Sequence, residues 1–178
     1  MSSEVTPRLI RSIDGVEQPS GRGESIGLNE NLLRRVRASM YDVSNHRRGT
    51  AYGSRIIEDA FRMAGKTGTS QVRRITAEER ARGVTRNEDL PWECRDHALW
   101  VNYAPFEAPK YAVAVVVEHG GGGSRAAAPV ARDIMMRTLY GPEPPLEAYP
   151  VSKREEIEEQ QRLMQLRAEE RGIGSDRA

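Results

Sequence analysis

The sequence predicts an α+β fold, an antiparallel sheet with helices packed on it, and three observations carry that expectation. Two apolar segments, "HALWVNYAPF" (97–106) and "KYAVAVVVEH" (110–119), are joined by "EAP", which suits an antiparallel hairpin and is too short for a parallel crossover. Upstream, Leu32, Leu33, Val36, Met40 and Val43 recur on one helical face. Downstream, "RAAAPVARDIMMRTLYG" (125–141) reads as a helix of small residues that can lie close on a sheet.

The elements follow in order along the chain. Residues 5–18 ("VTPRLIRSIDGVEQ") read as a weak hairpin turning at Asp14-Gly15, and "SGRGES" (20–25) as a loop. A helix over 29–44 opens at Asn29, whose side chain can accept from a free first-turn N–H; Arg34, Arg35 and Arg37 lie largely on its solvated face. "SNHRRGTAYGS" (44–54) breaks that helix. A strand containing "KTGTSQV" follows, then a short exposed helix over 76–83 with a capping-box pair, Thr76 and Glu79. "VTRNEDLPWECR" (84–95) reads as irregular loop. The strand over 110–119 is apolar on both faces, so it is expected inside the sheet with both faces covered. "GGGGS" (120–124) is a flexible turn into the helix over 125–140, where Pro129 is tolerated only near the first turn. Residues 1–141 are expected to form the domain. Residues 142–178 are a proline-rich stop, "PEPPLEAYP", and a charged, mobile helical tail with too few apolar positions for a core.

Composition bounds the function. At 178 residues, 38% of them apolar and 30% charged, the chain can build one domain with a core. A net charge of +1 argues against a phosphate-tracking surface, so no nucleic-acid partner is expected. Cys94 is the single cysteine, which excludes an internal disulfide. The longest apolar run, "YAVAVVV" (111–117), is far below membrane-spanning length, and "MSSEVTPRLIRSIDG" lacks a signal pattern.

Three clusters compete for a chemical role. "GGGGS" sits between a strand and a helix, as a nucleotide-binding loop would, but it lacks the lysine of that motif and the strands around it pair antiparallel. "ECRDH" (93–97) gathers Cys94, Asp96 and His97 without the second ligand pair that a structural metal site needs. Cys94 with His97 as a nucleophile and base lacks a third, orienting group. No metal or cofactor is therefore expected. "KTGTS" (66–70) differs. An exposed strand edge offers backbone N–H and C=O groups to an extended ligand, and Lys66 adds positive charge. Thr67 and Thr69 alternate around Gly68, so their hydroxyls can face the same way while Gly68 lets a ligand backbone come close. Such a strand suits a peptide with a terminal carboxylate.

In "NHRRGTA" (45–51), "AGKTGTSQV" (64–72), "RDHALWVNYAPF" (95–106) and "YAVAVVVEHGGGG" (111–123) the sequence resembles the class B penicillin-binding proteins, in particular the elongation-type penicillin-binding protein 2. The likeness spans roughly residues 5–140. It implies the C-terminal part of a β-lactamase/transpeptidase-like fold and a D,D-transpeptidase that cross-links peptidoglycan stem peptides by serine acyl transfer and is acylated by β-lactams. Of the family's S-x-x-K, S-x-N and K-T-G motifs only the third is present: no serine has a lysine three residues on or an asparagine two on. The resemblance thus places the nucleophile and a membrane anchor upstream of residue 1. A truncated, inactive remnant or an interaction module is the alternative. The resemblance implies that Lys66 organises the catalytic centre electrostatically and that the Thr67 and Thr69 hydroxyls hold the substrate or penicillin carboxylate. It also implies that the Thr69 N–H is an oxyanion-hole donor. The implied partners are a membrane glycan polymerase and scaffold proteins of the elongation complex, at the periplasmic face of the bacterial inner membrane.

Overall fold

The computed structural model describes residues 3–5, 9–18 and 22–170, and the chain divides into two compact units, Met1–Ser39 and Met40–Ala178. In the first unit β1 (Ser3–Val5) pairs antiparallel with a later strand, Arg22–Ser25, which follows a hairpin of β2 (Ser12–Ile13) and β3 (Val16–Glu17) and is labelled β4. The hairpin turns at Asp14 (φ 47°) and Gly15 (φ 81°), the paired positive φ values of a type I′ two-residue turn. The sequence reading of 20–25 as loop is corrected: residues 22–25 are a strand. A segment this polar, with two glycines, carries no apolar alternation to reveal it, and pairing between residues 17 or more positions apart sets the structure instead. Residues 6–8 and 19–21 of these expectations lie outside the described residues.

Helix α1 (Glu30–Asn45) crosses from one unit to the next, and its first turn is capped as expected: Asn29 Oδ1 accepts from the Asn31 N–H at 2.8 Å. Along the apolar stripe Leu32 and Val36 are more than half exposed, whereas Val43 packs on the core of the second unit and Ser44 is fully buried. The last turn is tied down by Asn45, which donates to the Met63 carbonyl at 2.9 Å, and by the Ala51 N–H bonding back to Val43 O at 3.0 Å. For its residues 40–45, the expectation of a helix laid on the sheet becomes attachment at these points.

The second unit holds a three-stranded antiparallel sheet in the order β5 (Ala64–Ser70), β6 (His97–Ala104), β7 (Tyr111–Val117). Helix α3 (Gly123–Tyr140) packs on one face, and a short helix, α2 (Ala77–Arg82), lies in the β5–β6 connection. Cross-strand partners share a face, so Ala98, Trp100 and Asn102 of β6 line up with Val117, Val115 and Val113 of β7, and Ala104 lies on the same face. This side meets Ala127, Ala128, Ala131 and Met135 of α3 and forms the core with Met63, Met136 and Ile56. The small side chains of α3 let it approach the sheet closely.

Two expectations about this region are corrected. β7 is an edge strand with one covered face: on the other, Ala112 and Ala114 are exposed, Val116 is 60% exposed, and Val101, paired with Ala114 on β6, is 47% exposed. An apolar run states that both faces favour burial, but not which layer covers them, and α3 covers one. Pro129 is the seventh residue of α3 rather than a first-turn residue, because the helix begins at Gly123, two residues before the expected start. Its missing N–H leaves the Arg125 carbonyl without the usual helical partner.

Downstream, the proline-rich segment buries Ala148, Tyr149 and Pro150. Helix α4 (Val151–Glu170) follows, with Ile157 buried, Gln161 donating to Pro144 O at 3.1 Å and Arg154 donating to Tyr149 O at 3.1 Å. No described helix is long and apolar enough to cross a membrane.

The β5–β6 connection contains one strongly perturbed acid. Thr76 caps α2 by accepting from the Glu79 N–H at 3.1 Å, but the Glu79 carboxylate does not return the bond. It takes both Arg73 guanidinium nitrogens, at 2.7 and 2.6 Å, and the Thr85 N–H at 3.3 Å. The Arg73 hydrogen bonds, foremost, hold the Glu79 carboxyl down at about 2 against an ordinary 4.5. A depressed carboxylate stabilises the fold above its ordinary value and loses that contribution as pH falls toward its folded value. The connection is therefore expected to loosen between pH 4.5 and about 2, seen as faster exchange of the Thr85 amide relative to the core strands. Glu79→Gln should abolish the pH dependence of that ratio; a ratio equally pH-dependent in the variant would refute the assignment.

Candidate functional site

β5 is built to be buried at its start and open at its end. Ala64 and Gly65 are buried, Thr67 and Gly68 half-buried, and Lys66, Thr69 and Ser70 exposed. Its register with β6 is continuous, from Ala64 opposite Tyr103 to Ser70 opposite His97. Among the described residues β5 pairs on that side alone, so its other edge presents backbone donors and acceptors.

The pleat sorts the side chains. Thr67 and Thr69 are paired with Trp100 and Ala98 and share their face; Lys66 and Gly68 are paired with Val101 and Leu99 and share the opposite one. The two hydroxyl residues are thus brought onto one side, and the ammonium starts from the other. Lys66 Nζ curls back to donate to the Thr67 carbonyl at 2.7 Å. Thr67 Oγ1 lies 3.2 Å from the hydroxyl of Thr50, which comes from the turn after α1. A side chain at Gly68 would come 3.2 Å from Leu99 Cβ, so glycine keeps this stretch of the strand low.

The strand is braced from behind by α3. A Cβ at Gly123 would fall 2.2 Å from the Leu99 carbonyl oxygen and 2.6 Å from that of Gly68. Gly122 is the N-cap and Gly123 the first helical residue. The expectation of a flexible turn over 120–124 is thereby corrected: its last two residues belong to α3, and Gly123 is wedged against the backbone of the K-T-G strand. Sequence reading missed Gly123 and Thr50 as contributors. Thr50 lay inside a singled-out stretch, "NHRRGTA", but nothing local marked its hydroxyl.

The other polar cluster is structural in its contacts. The Asn87 side chain accepts from the Asp96 N–H at 2.8 Å and donates to its carboxylate at 3.2 Å. His97 Nδ1 accepts from the His119 N–H at 2.9 Å, while His119 Nδ1 donates to the Arg95 carbonyl at 3.0 Å. These bonds fix the loop ends on either side of the hairpin.

Residues 3–136 match the penicillin-binding protein transpeptidase domain family. The chain is 32% identical over 163 residues to the peptidoglycan D,D-transpeptidase MrdA of Haemophilus influenzae, an alignment covering 87% of this chain and 24% of that protein. It is 35% identical to MrdA of Acinetobacter baumannii, covering 72% and 19%. Among solved structures, Pseudomonas aeruginosa PBP2 in complex with WCK 5153 superposes with a TM-score of 0.58 at 33% identity, over 78% of this chain and 26% of that one. The complex of PBP2 and MreC from Helicobacter pylori gives 0.52 at 33% identity, over 71% and 20%. The chain spans about a quarter or less of the length of these relatives.

Proposed function

The chain belongs to the penicillin-binding protein transpeptidase domain family, and we propose from that premise that it is the substrate-recognising C-terminal part of a peptidoglycan D,D-transpeptidase. The observation that carries the proposal is the open edge of β5, with Thr67 and Thr69 on one side of the pleat and Lys66 beside them. The substrate is a stem peptide ending in D-alanyl-D-alanine. Its backbone adds along the edge, and its terminal carboxylate accepts from the Thr67 and Thr69 hydroxyls. A serine outside this chain attacks the carbonyl of the penultimate residue. The resulting oxyanion accepts from the Thr69 N–H, and the Lys66 ammonium stabilises negative charge developing nearby. Collapse expels D-alanine with a proton and leaves an acyl-enzyme, which an amine of a neighbouring stem peptide resolves by forming the cross-link. A β-lactam follows the first half of this path, and its opened ring remains attached as the acyl group.

The family setting extends to partners: a membrane glycan polymerase and scaffold proteins of the elongation complex, at the periplasmic face of the inner membrane. The solved complex of Helicobacter pylori PBP2 with MreC supports the scaffold part of this extension.

Removal of the Thr69 hydroxyl tests the assignment. In a polypeptide joining this chain to an upstream part with S-x-x-K and S-x-N, Thr69→Val should raise the penicillin concentration needed for half-maximal labelling. The expected change is roughly tenfold, the scale of one hydrogen bond to a charged group. The maximal rate should fall less, because the Thr69 N–H survives. Labelling curves identical to wild type would remove Thr69 from carboxylate recognition, and failure of the joined wild-type polypeptide to label would favour an inactive remnant.

A further inference from the structure

We infer that Thr50 is a positioning residue for carboxylate recognition, acting through the hydroxyl of Thr67. The inference deepens the proposed function and rests on its assignment of Thr67 to the substrate carboxylate.

The two hydroxyl oxygens are 3.2 Å apart, and in the free protein either can donate. Ligand chemistry removes that ambiguity. A hydroxyl has one proton, and a carboxylate only accepts. If Thr67 gives its proton to a carboxylate, the bond to Thr50 survives only with Thr50 as donor. The bound state is then a one-way chain, Thr50 O–H to Thr67 O–H to carboxylate, in which each bond polarises the next. Thr50 thus fixes the Thr67 rotamer and makes its hydroxyl a better donor.

The backbone around Thr50 is shaped for this purpose. Gly49 is pressed onto the end of α1 so closely that a Cβ would fall 2.3 Å from the carbonyl oxygens of Asp42 and Val43. Ala51 is buried, and its N–H bonds to Val43 O at 3.0 Å. The Gly49 N–H bonds to His46 O at 2.7 Å, and the Tyr52 N–H to Gly49 O at 3.2 Å. Thr50 is the exposed residue between two pinned ones, so its hydroxyl is held at β5 by a rigid turn rather than by a mobile loop.

The test uses this chain, isotopically labelled, titrated with N-acetyl-D-alanyl-D-alanine and with its C-terminal amide while Thr67 and Thr69 resonances are followed. Wild type should show saturable shifts for the acid that the amide does not reproduce. Thr50→Val, close to isosteric, should weaken acid binding about three- to tenfold, the net worth of one hydrogen bond. It should leave the response to the amide unchanged, and Thr50→Ser should restore the acid response. In a Thr67→Val background, Thr50→Val should have no further effect. Acid binding by wild type that Thr50→Val leaves intact would overturn the role of Thr50 alone. An added loss in the Thr67→Val background would also overturn it, making Thr50 a direct ligand. Absence of any acid-dependent shift in wild type would sink the carboxylate assignment itself, and the inference with it.

Discussion

Replacing Gly123 with alanine is expected to destabilise the second unit by about 3 kcal/mol or more, at the upper end of what overpacking costs. Alanine normally improves a helix relative to glycine by about 1 kcal/mol, so propensity alone predicts the opposite sign. The added methyl has nowhere to go. It would sit 2.2 Å from Leu99 O and 2.6 Å from Gly68 O, both backbone atoms of hydrogen-bonded strands, and neither can rotate away as a flexible side chain could. Either α3 lifts from Trp100 and Ala98, exposing core, or β5 shifts at Gly68, in the middle of the proposed binding strand. Gly122 is the control, because a Cβ there meets nothing within 4 Å. Gly122→Ala should cost at most about 1 kcal/mol, from a poorer N-cap. Thermal or denaturant unfolding of the three proteins decides the matter, and equal stability of the two variants would show that α3 does not bear on Gly68 as described.

The wedge at Gly123 illustrates what the sequence could and could not disclose. The hairpin of β6 and β7 was legible because strand patterning and a short connection are local signals, and α2 because Thr76 stands three residues before Glu79. The reciprocal half of that capping box was not, since Arg73 outcompetes a backbone N–H for the Glu79 carboxylate. Likewise "YAVAVVV" disclosed a strand with two apolar faces, whereas its place at the sheet edge depends on which layers are present to cover it. The exposed edge of the K-T-G strand was legible, because lysine, hydroxyls and glycine there have little use in packing. Its supports were not. Gly68 meets Gly123, and Thr67 meets Thr50, only after two turns and a helix have brought distant residues together. A glycine in a run of four looks like flexibility until the neighbour it makes room for is known.

The largest chemical effect is expected at Lys66. This chain alone should form no covalent adduct with a fluorescent penicillin, because none of its serines has a lysine three residues on to serve as base. Ser70 is exposed at the end of β5, but it faces His97, whose Nδ1 is already occupied by the His119 N–H. Joined to an upstream part that supplies S-x-x-K and S-x-N, the polypeptide should label. Lys66→Ala should then slow acylation by ~10²–10³, about 3–4 kcal/mol, the usual consequence of removing one preorganised charge from such a site. The geometry sharpens the expectation. Lys66 projects on the opposite side of the pleat from Thr67 and Thr69, so its loss should lower the maximal rate of labelling, while the loss of a hydroxyl should mainly raise the concentration required. Lys66 also donates to the Thr67 carbonyl at 2.7 Å, so Lys66→Arg keeps a charge and a donor but changes their reach; partial activity is expected from it. Labelling rate against penicillin concentration separates these outcomes. A Lys66→Ala polypeptide that labels at the wild-type rate would remove the lysine from the chemistry. Adduct formation by the isolated chain, mapped to Ser70 or Cys94, would show that the nucleophile lies within these residues after all.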